Sequence, residues 1–101
     1  MELRQLRQFY EVCETGSFSA AGSSLYMTQQ AVGKSMKQLE DELAVVLFIR
    51  EKSGVSLTPQ GEYLKERCKV ILDYIRDTED QLREIGANCP LRTRIMLPEA
   101  V

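Results

Sequence analysis

Apolar side chains at Leu3, Leu6, Phe9, Tyr10 and Cys13 recur every three or four residues, which lays a stripe along one face of a helix over about residues 3–14. Thr15 and Gly16 supply its exit, because glycine readily takes the left-handed conformation that closes a helix. Ser17 offers a hydroxyl cap for a short second helix, whose Phe18, Ala21 and Leu25 face the core. Its other residues are small (Ser19, Ala20, Gly22, Ser23 and Ser24), so a neighbouring helix can approach closely. Tyr26 and Met27 form a brief turn before Thr28 provides the next cap. Val32, Met36, Leu39 and Leu43, with Ala31 beside them, then predict a third helix over residues 28–43. Its opposite face is polar and carries Gln29, Gln30, Gly33, Lys34 and Lys37. Two helices joined by so short a turn make a helix-turn-helix pattern.

Beyond Ala44 the rhythm changes. Val45, Val46, Leu47, Phe48 and Ile49 form a β-prone run, and Val55, Ser56 and Leu57 form a second one. Between them Arg50, Glu51, Lys52, Ser53 and Gly54 are expected as the loop of a hairpin, with the cationic composition of a wing. Thr58 and Pro59 are a strong helix start, since proline at the first helical position has no amide to satisfy. In the helix that follows, Leu64, Cys68, Ile71, Ile75, Thr78, Leu82 and Ile85 keep the alternating spacing of a coiled-coil seam, and Gly86 is expected to end it. At 1.5 Å per residue such a helix runs about 42 Å, too long for a small domain to cover, so pairing with a second copy is favoured over packing within the chain. The expected organisation is a winged helix-turn-helix at 1–58, mainly α with a three-helix core and a small β-hairpin wing, a long dimerisation linker helix at 59–87, and a hinge at 88–101 that opens a further, missing domain. On this reading the chain is a fragment or truncated product.

Composition changes the picture only in places. The chain has 101 residues, 44% of them hydrophobic, enough for one domain with an ordinary core. It has no apolar run long enough to span a bilayer and no secretory leader pattern, so the cytoplasm is the expected location and no membrane partner is implied. With no histidine, and with Cys13, Cys68 and Cys89 too dispersed for a zinc framework, neither metal nor other cofactor is expected. Serine and threonine lack an activating base, so an enzyme is not expected. Cys13 and Cys68 are expected as small buried hydrophobes rather than redox sensors.

A net charge of −2 gives no general attraction for nucleic acid, but the position of charge decides the local field. From Ser23 to Gln38 the cations Lys34 and Lys37 stand without an acid, and Glu40, Asp41 and Glu42 follow immediately. A helix fits the major groove, where glutamine can pair bidentately with adenine and lysine can donate to guanine. Gln29, Gln30 and Lys34 suit that task, while Thr28 and the free amides of the helix start suit a phosphate. Lys37 lies a turn further along and suits backbone. Arg50 and Lys52 suit a minor groove or phosphates. Such a polar stripe can also be an ordinary solvated helix face. The tight turn, the small-residue helix before it and the cationic hairpin after it favour DNA.

The residues also resemble a known family. Leu3-Arg4-Gln5-Leu6 with Phe9, Gly16-Ser17-Phe18, Ala20-Ala21, Leu25, Thr28-Gln29, Ala31-Val32, Lys34, Leu39-Glu40, Leu43, Leu47-Phe48, Arg50, and Leu57-Thr58 with Gly61 resemble, in this order, the N-terminal region of LysR-type transcriptional regulators over about residues 2–86. The resemblance implies a winged helix-turn-helix, a linker helix that dimerises antiparallel, and binding of interrupted palindromes near promoters. It assigns Thr28, Gln29, Gln30, Gly33, Lys34 and Lys37 to the recognition helix and Arg50, Lys52 and Ser53 to the wing. A small-molecule effector is implied only through a C-terminal domain, whose opening strand residues 91–101 resemble. Gln30 stands where proline is usual, Gly33 where serine is common, Ala44 where glycine often closes the helix, and Ser53 and Ser56 where arginine is frequent. The expected function is a sequence-specific regulator that binds double-stranded DNA as a homodimer. The competing expectation is a winged-helix and coiled-coil module that binds protein and no DNA.

Overall fold

A computed structural model describes residues 1–88. Helix α1 spans Leu3–Thr15, α2 Phe18–Leu25 and α3 Gln29–Leu43, followed by strands β1 Phe48–Glu51 and β2 Gly54–Leu57 and helix α4 Pro59–Asn88. The hinge and strand expected within 88–101 lie outside the described residues, apart from Asn88 at the end of α4.

Local chemistry sets the helix boundaries. Gly16 closes α1 at φ 72°, its amide donating to Val12 O at 2.8 Å. Ser17 Oγ accepts from the Ala20 amide at 3.1 Å to start α2, and Thr28 Oγ1 accepts from the Ala31 amide at 3.0 Å to start α3. Between them Tyr26 takes the left-handed conformation (φ 59°), and the Met27 amide reaches back to Gly22 O at 2.8 Å. That return is close: a Cβ on residue 22 would lie 2.7 Å from Met27 O, so the turn requires glycine there.

The three helices bury Leu6, Phe9 and Val12 of α1, Phe18 and Ala21 of α2, and Val32, Met36 and Leu39 of α3, with Leu25 half-buried beside them. Two polar side chains of α1, Gln5 and Gln8, join this core. Gln8 of α1 is buried; its Oε1 accepts from the Ser35 hydroxyl, and its Nε2 donates to Met27 Sδ at 3.5 Å. One side chain thus ties α1 both to the turn and to the middle of α3.

The hairpin differs from the expected one. Val45 and Val46 precede β1, whereas Arg50 and Glu51 belong to it, pairing with Val55 and Gly54, so only Lys52 and Ser53 form the tip. The strand begins where long-range bonds dictate. Glu40 Oε2 accepts from the amides of Leu47 at 2.7 Å and Phe48 at 3.2 Å, and the Val55 amide donates to Gly16 O at 3.0 Å.

Helix α4 corrects two further expectations. Gly86 does not end it: the helix continues to Asn88, because an interior glycine costs only about 1 kcal/mol and needs no left-handed turn. Leu64 and Cys68, counted above into the seam, are buried in the protomer's own core, with Cys68 Sγ donating to Leu6 O at 3.1 Å. Ile71 packs against that core and Ile75 is half-buried, whereas Thr78, Leu82 and Ile85 are exposed. Spacing alone shows which positions share a face, not whether the cover comes from this chain or another. The protomer measures 57 × 27 × 20 Å. Burial pushes the Cys13 thiol up to about 12 and the Cys68 thiol up to about 11, so both stay protonated and unreactive near neutral pH.

Replacing Glu40 by alanine removes one carboxylate from two backbone amides. We expect Glu40→Ala to cost about 2 kcal/mol, in the range for hydrogen bonds to charged groups, read as a lowered urea midpoint. An unchanged midpoint would show that water substitutes fully for the carboxylate.

Candidate nucleic-acid interface

Starting α3 at the Thr28 cap fixes which residues lie on its outer face. Val32, Met36 and Leu39 point into the core, so Gln29, Gln30, Lys34 and Lys37 stand exposed on the other side with Gly33 half-exposed among them. A Cβ built on Gly33 would meet nothing within 4 Å, so the space beside it is open. At the helix start the amides of the first turn have no intrahelical acceptor, and the Thr28 hydroxyl satisfies that of Ala31.

This face is one wall of an open groove of about 400 Å³, lined by Phe18, Gln29, Gln30, Gly33, Lys34 and Arg50. The opposite wall comes from β1. Arg50 lies with its guanidinium carbon 4.6 Å from the centroid of Phe18, a cation–π contact that holds it beside α3 and away from the wing tip. A second hollow of about 290 Å³ continues past Gln29 and Arg50 to Ser17, Ser19 and Lys52. The start of α2, the first half of α3 and the wing therefore border one continuous concave strip.

The sequence-derived candidates separate by environment. Gln29, Gln30, Gly33, Lys34 and Arg50 meet at the first groove, and Lys52 borders the second. Ser53 sits at the exposed tip. Lys37 is paired with Asp41 at 3.0 Å, both side chains exposed, which makes it the least available cation of the stripe. Lys34 makes no ion pair among the described residues. Phe18 and Ser19, expected from the sequence as a core residue and a small helix residue, also line this strip. The only signal for Phe18 was an aromatic residue directly after a helix cap, which reads equally well as core, and the ring does both: it is buried against Phe48 and carries Arg50.

Residues 3–62 match the family model described as bacterial regulatory helix-turn-helix protein, lysR family. The chain is 42% identical over 88 residues to an uncharacterized HTH-type transcriptional regulator in the ibpB-leuC intergenic region of Azotobacter vinelandii, a match covering 87% of this chain and 61% of that protein. It is 37% identical over 86 residues to the HTH-type transcriptional regulator BsdA of Bacillus subtilis, covering 84% of this chain and 30% of the relative. The chain thus spans less than two thirds of the length of the first of these curated relatives and less than a third of the second. Among solved structures it is similar to the CbnR_DBD-DNA complex, with a TM-score of 0.80 at 35% identity over 85% of this chain and 99% of that one. It is also similar to the BenM_DBD/benA site 1 DNA complex, with a TM-score of 0.84 at 29% identity over 88% of this chain and 100% of the other. With its three-helix core, two-stranded wing and long helix, and with a family model spanning more than half its length, the chain belongs to the lysR family of bacterial regulatory helix-turn-helix proteins.

Proposed function

We propose that this chain is the DNA-binding part of a transcription regulator, reading promoter-region double-stranded DNA with α3 in the major groove and working as a homodimer. The observation that carries this reading is the convergence of the exposed face of α3 with Arg50 on one open groove. In this reading Gln29, Gln30 and Lys34 reach base edges, where each good bidentate pair discriminates by about 1–3 kcal/mol. Thr28 and the free amides at the start of α3 receive a phosphate, and Lys37, Arg50, Lys52 and Ser53 hold the flanking backbone. Arg50, stacked on Phe18, keeps a fixed position relative to α3 and so sets the register of the helix in the groove.

The regulator works in the cytoplasm, where its DNA is, and no described helix is long and apolar enough to cross a membrane. Its relatives are named as transcriptional regulators, and the reading requires no catalytic step. A small-molecule effector acts through a C-terminal domain rather than through the surfaces described above. Two copies join along the exposed part of α4, which presents two recognition helices to two half-sites.

In a mobility-shift titration at low salt against DNA from upstream of the chain's own gene, Lys34→Ala is expected to weaken the complex by about 1–3 kcal/mol. Absence of any complex for the unsubstituted chain across that region would favour the protein-interaction module instead. Because the space beside Gly33 is open, Gly33→Ala is expected to raise stability by up to about 1 kcal/mol, read as a higher melting temperature, with DNA affinity changing in the same variant. A stabilised variant with unaltered binding would remove that part of α3 from the interface.

A further inference from the structure

Apolar contact alone does not fix how α3 is turned about its own axis. Its buried face consists of Val32, Met36 and Leu39, and hydrophobic burial is non-directional. Met36 is unbranched and adapts to the space it is given. The part of α2 that approaches the start of α3 is Gly22, which offers no side chain to key against it. Yet the aim of the exposed face is sensitive to rotation. At a helix radius of about 5–6 Å, a turn of about 10° displaces the outer groups by about 1 Å. Hydrogen bonds from nitrogen to oxygen keep to about 2.7–3.2 Å, so a displacement of that size breaks them.

We infer that the buried Gln8 of α1 is a positioning residue for base readout: through Ser35 and Met27 it fixes the rotation and height of α3, and so the aim of Gln29, Gln30 and Lys34. This rests on the DNA reading proposed above and adds a residue that separates one sequence from another without touching DNA.

The side chain of Gln8 is 5% exposed and used at both ends of its amide. Its Oε1 accepts from the Ser35 hydroxyl, and its Nε2 donates to Met27 Sδ at 3.5 Å. A buried amide without partners is costly, so the favoured setting of α3 is the one that brings the Ser35 hydroxyl to it. One grip lies in the turn just before α3 and the other at the middle of the helix, so together they define both height and rotation. At about 100° per residue, Ser35 stands about 60° round the helix from Val32 and about 100° from Lys34. It therefore sits at the edge of the buried face, on the flank that leads to Lys34. Among the described residues, the other side-chain hydrogen bonds from α3 to another segment are those of Glu40 to the wing and of Glu42 to the amino group of Met1. Those hold the last turn. Gln8 is the directional side-chain tie on the half that carries Gln29, Gln30 and Lys34.

The test uses the full chain and two duplexes: the tightest-binding segment from upstream of the chain's own gene, and the same segment with its sequence scrambled. Fluorescence-anisotropy titrations give the ratio of the two affinities. Partial unfolding lowers both affinities by the same folded fraction and leaves the ratio unchanged, so a role in stability alone does not move it. Gln8→Met keeps the volume and the burial and removes the directional bonds. It is expected to lower the ratio about fivefold or more, the lower end of what one base contact contributes. The salt dependence of binding to the scrambled duplex is expected to stay the same, because the phosphate contacts remain. Ser35→Ala is expected to act in the same direction, and Ser35→Thr, which keeps the hydroxyl, to hold the ratio of the unsubstituted chain. An unchanged ratio in Gln8→Met, or equal ratios for Ser35→Ala and Ser35→Thr, would overturn the positioning role while leaving DNA binding in place. An unsubstituted chain that binds both duplexes equally, or neither, overturns the DNA reading and the role of Gln8 with it.

Discussion

The ring of Phe48 meets Phe9 at 5.2 Å and Phe18 at 5.4 Å, and its backbone amide donates to Glu40 at 3.2 Å. Through that one residue α1, α2, α3 and the wing share a fixed junction. Aromatic pairs of this kind contribute about 0.5–1.5 kcal/mol each beyond the area they bury. The geometry matters as much as the energy. Phe18 is held edge-on by Phe48 and presents its outer face to Arg50, two residues further along the same strand, so the core contact also sets the position of a cation beside α3. A side chain on a hairpin tip would sample many positions, and one stacked on a buried ring loses little conformational freedom when it meets a ligand.

The parts of the fold readable in the sequence are those decided within a few residues. The caps Ser17 and Thr28, the exit at Gly16 and the apolar rhythm of α1 to α3 are local, and the structure places them as the rhythm implies. The bounds of the hairpin strands are not local: Val45 and Val46 have high β-propensity, whereas the start of the strand depends on Glu40, brought in from α3. Gln8 was invisible for a related reason: a polar residue beside an apolar stripe looks solvated until Ser35 and Met27 arrive from elsewhere. At the candidate interface, the exposed row Gln29, Gln30, Lys34 and Lys37 was readable from periodicity. The stacking of Arg50 on Phe18 and the diversion of Lys37 to Asp41 required three dimensions.

Helix α4 presents two different faces. Near its start Leu64 and Cys68 close the core of their own domain, and a different angular sector carries Tyr63, Val70 and Tyr74 outward. An unbroken heptad in the sequence therefore merges two faces that a helical projection with burial separates. The consequence for stability is that the first half of α4 folds with the domain, whereas the far half lacks tertiary cover among the described residues, and isolated helical segments of this length are marginal in water.

The net charge of −2 is compatible with an anionic ligand because the charges are segregated along α3. Acids at the C-terminal end of a helix oppose its dipole, which makes Glu40, Asp41 and Glu42 an unfavourable run unless each is compensated. Each has a counter-group: Glu40 takes the amides of Leu47 and Phe48, Asp41 takes Lys37, and Glu42 takes the amino group of Met1. From residue 30 to residue 41 the helix rises about 16 Å, roughly two Debye lengths at physiological salt, where the screening distance is about 8 Å. The field at Gln29 and Gln30 is therefore set mainly by Lys34 and Arg50, with little contribution from the acids at the far end of the same helix. A total over the whole chain sums regions that do not sense one another.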